Sequence, residues 1–101
     1  MKRYKVILSD EAAMDMYDIS NYIFYVYKQP QTTFRYITRL NKALQDLHVY
    51  AGSIAISQSR YIQSHYGPNA RRINHERLAI IYVIDNGFVY IQRIIPGSLI
   101  F

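Results

Sequence analysis

Two apolar runs separated by three polar residues constrain this chain more than any other stretch. Leu78-Ala79-Ile80-Ile81-Tyr82-Val83-Ile84 and Phe88-Val89-Tyr90-Ile91-Gln92-Arg93-Ile94-Ile95 are rich in β-branched and aromatic side chains. Both have the length of strands rather than of helices. Asp85-Asn86-Gly87 lies between them and supplies, at little steric cost, the positive φ that a tight reversal needs. The spacing predicts a β-hairpin belonging to a buried sheet. Arg71, Arg72 and Arg77 mark the strand before it, and Arg93 lies in the strand that ends it.

The segments upstream must cover that sheet. Tyr4, Val6 and Leu8 predict a first strand over Lys2–Leu8. Ser9 is a helix N-cap, followed by Asp10 and Glu11 where carboxylates favour the helix dipole. Ala12, Met16, Ile19, Ile23 and Val26 then recur at steps of four and three, predicting a helix over Asp10–Tyr27. A neighbouring stripe of Ala13, Tyr17, Phe24 and Tyr27 widens its apolar side, while Asp15, Asp18 and Asn21 fall on the wet side. Pro30 ends this helix and suits the first turn of the next. The second helix is predicted over Pro30–Val49, with Phe34, Ile37, Leu40, Leu44 and Leu47 as its buried stripe. A link this short makes the pair an antiparallel helical hairpin.

On the exposed side of the second helix Arg35, Arg39 and Lys42 align, and Asp46 continues the row. Such a row is either a solvated face with one ion pair or a basic ridge that contacts a target. Ala51–Ser59 reads as a packed connector, Arg60–Tyr66 as a short strand or an irregular segment, and Gly67-Pro68-Asn69 as a turn. Pro96-Gly97-Ser98 reads as a chain-reversing turn. The fold class is therefore α+β: a first strand, an antiparallel helical hairpin, then a mainly antiparallel sheet of three to four strands with the hairpin on one face. With 101 residues, one domain over 1–101 is expected.

The chain has no cysteine, which removes disulfides, thiol nucleophiles and thiolate metal sites and fits a reducing, cytoplasmic compartment. No apolar run approaches the roughly 20 residues of a membrane span, so no membrane role is expected. His48, His65 and His75 show no metal-ligand spacing, and no glycine-rich phosphate loop occurs. No metal or cofactor is expected. The net charge of +5 is uneven: four acids and no Lys or Arg lie between Val6 and Tyr27, and basic residues dominate from Lys28 onward. A basic surface favours an acidic partner, either nucleic acid or an acidic protein. His75, beside Arg71, Arg72 and Arg77, is either an acid–base group for RNA cleavage or a partly exposed turn residue.

Taken together, these pieces resemble the RelE/ParE superfamily of toxins from bacterial type II toxin–antitoxin systems. The opening Tyr4-Lys5-Val6-Ile7-Leu8-Ser9-Asp10-Glu11-Ala12 is similar to the family's first strand entering a helix. Asp15, Asp18-Ile19 and Tyr22-Ile23 follow its D-x-x-D-I-x-x-Y-I arrangement. Arg71-Arg72-Ile73, Ile80-Ile81-Tyr82 and Val89-Tyr90-Ile91-Gln92-Arg93-Ile94-Ile95 match its arginine strand and closing hairpin. The resemblance implies a growth inhibitor of the plasmid-stabilisation kind, neutralised by a small antitoxin.

Two activities occur in the superfamily. RelE-like members cleave mRNA in the ribosomal A site with clustered basic residues; ParE-like members have a long helical hairpin and poison DNA gyrase. Ala79 and Ser98 stand where the resemblance would place two RNase arginines, and the sequence stops at Phe101, before the position of a C-terminal catalytic tyrosine. In-line cleavage needs cations on the developing phosphorane charge, so the ParE-like branch is expected. The alternatives are an mRNA endonuclease using Arg71, Arg72, His75, Arg77 and Arg93, or an inactive relative that only binds its antitoxin. Pro96, Ser98 and Leu99 also replace the basic tail common in ParE-like relatives, which bears on toxicity. The expected target surface is Arg71, Arg72, Arg77, Tyr82, Arg93, Arg35, Arg39 and Lys42. The expected antitoxin surface is Tyr17, Phe24, Leu99 and Phe101.

Overall fold

The computed structural model describes residues 2–101. Its elements are β1 (Lys5–Leu8), α1 (Asp10–Tyr27), α2 (Pro30–Tyr50), α3 (Arg60–Tyr66), β2 (Arg71–His75), β3 (Leu78–Asp85) and β4 (Phe88–Pro96), with single 3-10 turns at Ala51–Ser53 and Gly97–Leu99. The four strands form one sheet in the order β1-β4-β3-β2. β1 runs parallel to β4, and the other neighbours are antiparallel. This is the α+β arrangement expected from the sequence.

The reversal between β3 and β4 uses Asn86 and Gly87, both at positive φ (49° and 84°), in the two-residue hairpin geometry. A bulge sits opposite Ile81 and Tyr82: Ile81 pairs with Arg93 and Tyr82 with Ile91, leaving Gln92 as the extra residue. β1 starts at Lys5, three residues later than the alternation predicts. The Tyr4 N–H donates instead to the His48 carbonyl at 2.8 Å, and ladder pairing begins with the Lys5 N–H on Gly87. The Tyr4 hydroxyl lies against Gly52, where a methyl group would come within 2.6 Å of it.

Ser9 caps α1, its Oγ accepting from the Ala12 N–H at 3.0 Å. Lys28 ends α1 in the left-handed conformation, and Pro30 opens α2. Leu40, Leu44 and Leu47 of α2 are buried against Ile80, Tyr82, Val89 and Ile91 of the sheet, together with Ala12 of α1. The predicted stripe of α2 is corrected at its start: Phe34 is 73% exposed. Indeed, no residue from Ala13 to Arg39 is fully buried. The hairpin carries its apolar pattern beyond the part of the sheet that it covers.

The other face of the sheet has its own cluster of Ile62, Ala70, Ile81 and Ile95. Ile62 comes from Arg60–Tyr66, which is a helix and not the strand or irregular segment expected. Local capping explains the difference. The Ser59 Oγ accepts from the Ile62 N–H at 3.3 Å, and Gly67, at φ +96°, donates its N–H to Gln63 at 2.9 Å. Burial of β3 on both faces accounts for its unbroken apolar run.

Candidate functional site: a cleft beneath the helical hairpin

β1 covers β4 only as far as Ile91. Beyond it the open edge of β4 is satisfied from the start of α1. The Ser9 N–H donates to the Ile91 carbonyl and the Ser9 hydroxyl to the Gln92 carbonyl, both at 2.9 Å. Six residues later the Asp15 carboxylate accepts from the Ile94 N–H at 2.9 Å. It also takes the Arg93 fork, with Nε at 2.8 Å and Nη2 at 3.0 Å, and Glu11 lies 3.9 Å from the same guanidinium. This charge-assisted bidentate pair raises the Arg93 pKa, chiefly through its hydrogen bond to Asp15. It ties α1 to the end of the sheet.

Above this tie lies a cleft of about 990 Å³. Ile19, Tyr22, Ile23 and Tyr27 of α1 and Tyr36 of α2 form one wall. Glu76, Arg77 and Leu78 at the β2–β3 reversal, Arg93–Pro96 and Leu99 form the other. Burial, reinforced by the Glu76 carboxylate, pushes the Tyr36 phenol above its ordinary pKa, so it stays a neutral donor. Glu76 is itself at positive φ (56°) and approaches Arg39 at 3.8 Å, an exposed contact.

The arginines expected to act together are separated. Arg71 and Arg72 are consecutive in β2 and project to opposite faces. The Arg71 guanidinium donates to the carbonyls of Gly52 and Ile54, pinning the connector to the sheet. The Arg72 Nε donates to the Asn74 Oδ1 at 2.9 Å, and its Nη2 passes within 3.0 Å of where a Cβ on Gly97 would lie. Arg93 is held by Asp15. Arg77 is exposed on the cleft wall and, among the described residues, makes no ion pair. His75 packs edge-on against Tyr36 at 6.3 Å, and its buried Nε2 has no hydrogen-bond partner among the described residues. Tyr82 is corrected as a target contact: it is fully buried, its hydroxyl donating to the Ala51 carbonyl at 2.8 Å, and burial pushes its pKa up to about 12.

On α2, Lys42 pairs with Asp46 at 3.1 Å and Arg39 approaches Glu76, leaving Arg35 of the ridge with no ion pair among the described residues. Of the residues expected to hold an antitoxin, only Leu99 lines the large cleft. Phe24 borders a smaller groove of about 360 Å³ on the far side of the hairpin, with Ser20, Asn21, Pro30, Thr33, Phe34 and Ile37. Phe101 is exposed and meets Tyr61 of α3 edge-on at 6.0 Å, next to the Tyr61–His65 stack. The sequence reading missed Asp15, Tyr22, Tyr27, Tyr36 and Glu76 as cleft residues. Asp15 carried a signal: at 100° per residue it falls beside Ile19, at the margin of the buried stripe, where a carboxylate needs a partner.

Among the described residues no group of three or more His, Cys, Asp or Glu side chains could hold a metal, and no helix is long and apolar enough to cross a membrane.

A solved structure of the chromosomal ParDE toxin–antitoxin system from P. aeruginosa superposes with a TM-score of 0.75 at 17% identity, covering 93% of this chain and 96% of that one. A chain of the RelBE2 toxin–antitoxin complex from Mycobacterium tuberculosis superposes with a TM-score of 0.62 at 16% identity, covering 93% and 98%. No curated protein sequence is similar enough to count as a match. The family model described as the ParE toxin of the type II toxin–antitoxin system parDE matches residues 6–101. The chain belongs to the ParE toxin family of type II toxin–antitoxin systems.

Proposed function

We propose that this toxin inhibits growth by binding DNA gyrase rather than by cleaving RNA, and that a cognate antitoxin silences it by occupying the cleft under the helical hairpin. The dispersal of the arginines carries this reading. Stabilising a phosphorane requires several cations preorganised around one phosphate. Here Arg93 is committed to Asp15 and Arg71 to backbone carbonyls, and the His75 Nε2 is buried. Arg72 and Arg77, with the Arg35 end of the α2 ridge, remain as a basic surface suited to protein contact.

The cleft supports the antitoxin part. Its apolar floor (Ile19, Ile23, Leu78, Ile94) and its rim of tyrosines, Arg77 and Glu76 suit an amphipathic segment that folds on binding. Both neighbouring structures come from toxin–antitoxin systems, which favours the same arrangement here.

Expression in the absence of antitoxin tests the reading. Filamentation and induction of the DNA-damage response are expected, with Arg72→Ala plus Arg77→Ala weakening both while leaving the fold intact. Rapid cleavage of messages at codons inside translating ribosomes would sink it in favour of the RNase alternative. Tight antitoxin binding with no growth effect would leave an inactive relative.

A further inference from the structure

The outward side of α1 carries a second apolar stripe that none of the described residues covers. Met14, Tyr17, Asn21, Phe24 and Lys28 recur at steps of three and four, the spacing of a heptad seam. At 100° per residue they fall within about 100° of arc, directly opposite the Ala12–Ile19–Ile23 stripe that meets the core. Met14, Tyr17 and Phe24 are between 48% and 63% exposed, and Tyr25 and Phe34 beside them more so. The four aromatics among these offer on the order of 500 Å² of surface, against ~800 Å² per partner in a stable interface.

We propose that a second copy of this chain covers the stripe, with the two α1 helices packed antiparallel about a two-fold axis at Asn21. The stripe's own symmetry selects that occupant. An antiparallel pair centred on residue 21 sets Asn21 against its copy, Tyr17 level with the partner's Tyr25 and one residue from its Phe24, and Met14 against the stem of the partner's Lys28. The two carboxamides can exchange hydrogen bonds, the device by which a lone Asn in an apolar seam sets register. Charge agrees with this pairing. Lys28 is the only cation between Val6 and Phe34, and the pairing carries it to the N-terminal half of the partner's α1, which holds the acids Asp10, Glu11 and Asp18. The groove bordered by Phe24 and Phe34 lies along the same seam and can receive an aromatic ring from the other copy. This contact lies on the far side of the hairpin from the antitoxin cleft and does not depend on which cellular target the toxin has.

Because the chain has no cysteine, Asn21→Cys introduces a single thiol at the proposed axis. Mild oxidation of the purified full-length Asn21→Cys chain should yield a covalent dimer, whereas Tyr50→Cys, at the other end of the hairpin, should not. Sedimentation from about 1 to about 100 µM should show the wild-type mass doubling, and Tyr17→Asp should abolish that association with its circular dichroism unchanged. A wild-type chain that stays monomeric throughout, or equal cross-linking at the two cysteine positions, would overturn the proposal. So would a Tyr17→Asp chain whose affinity for its antitoxin falls while wild-type association is absent, since the stripe would then belong to the antitoxin.

Discussion

Asp15 joins three parts of the molecule with one carboxylate: α1, the backbone of β4 at Ile94, and the Arg93 guanidinium. Only about an eighth of its side chain is exposed (12%) against 32% for Arg93, so solvent screens the pair less than an exposed one. Asp15→Ala strands both a guanidinium and a backbone N–H and should cost roughly 2–3 kcal/mol by chemical denaturation, whereas Asp18→Ala, on the exposed side, should cost under about 0.5 kcal/mol. Tyr82 offers a second test. Its folded pKa of about 12 lies above the unfolded value near 10, so on raising the pH the unfolded chain releases its proton first. The stabilisation is fully present below about pH 10 and lost by about pH 12, on the order of 2–3 kcal/mol. Tyr82→Phe should cost about 1–2 kcal/mol at neutral pH through the Ala51 hydrogen bond, and should lack that alkaline decline, so that the stability difference between the two proteins shrinks between about pH 10 and pH 12. At this scale the sequence was least legible. Arg93 and Tyr82 were expected to face a target, and only the three-dimensional register shows that each already has an internal partner.

The elements were legible wherever the pattern was long. The β3–β4 hairpin follows from two apolar runs and a turn, and α1 and α2 from steps of three and four, with boundaries within a residue of those expected. α3 was not legible because seven residues hold too few turns for a period to show, and Tyr61, Ile62 and Tyr66 also suit a strand. Its helicity rests on the Ser59 cap and on burial of Ile62 against Ile81 and Ile95. Ser59→Ala should therefore cost about 1 kcal/mol and should speed amide exchange in Arg60–Tyr66 more than in α2. Periodicity also overstated burial at the hairpin tip. An apolar stripe shows that a face can be covered without showing by what, and Phe34 keeps the pattern of α2 with none of the sheet beneath it.

For the whole molecule, the fold was readable because it rests on element order, which survives at 16–17% identity to the solved neighbours. The choice of activity depends instead on a few side chains, and the placement of the arginines bears on it more than their number does. A basic chain whose cations are dispersed among structural partners is suited to holding a protein, and poorly suited to charge stabilisation at one phosphorus. Gyrase binding is put to the test by adding the purified toxin to DNA gyrase and supercoiled plasmid with ATP. Gyrase-linked double-strand breaks are expected to accumulate and to be suppressed by equimolar antitoxin. Unchanged supercoiling by gyrase, together with site-specific cleavage of mRNA when the toxin is added to translating ribosomes, would contradict it.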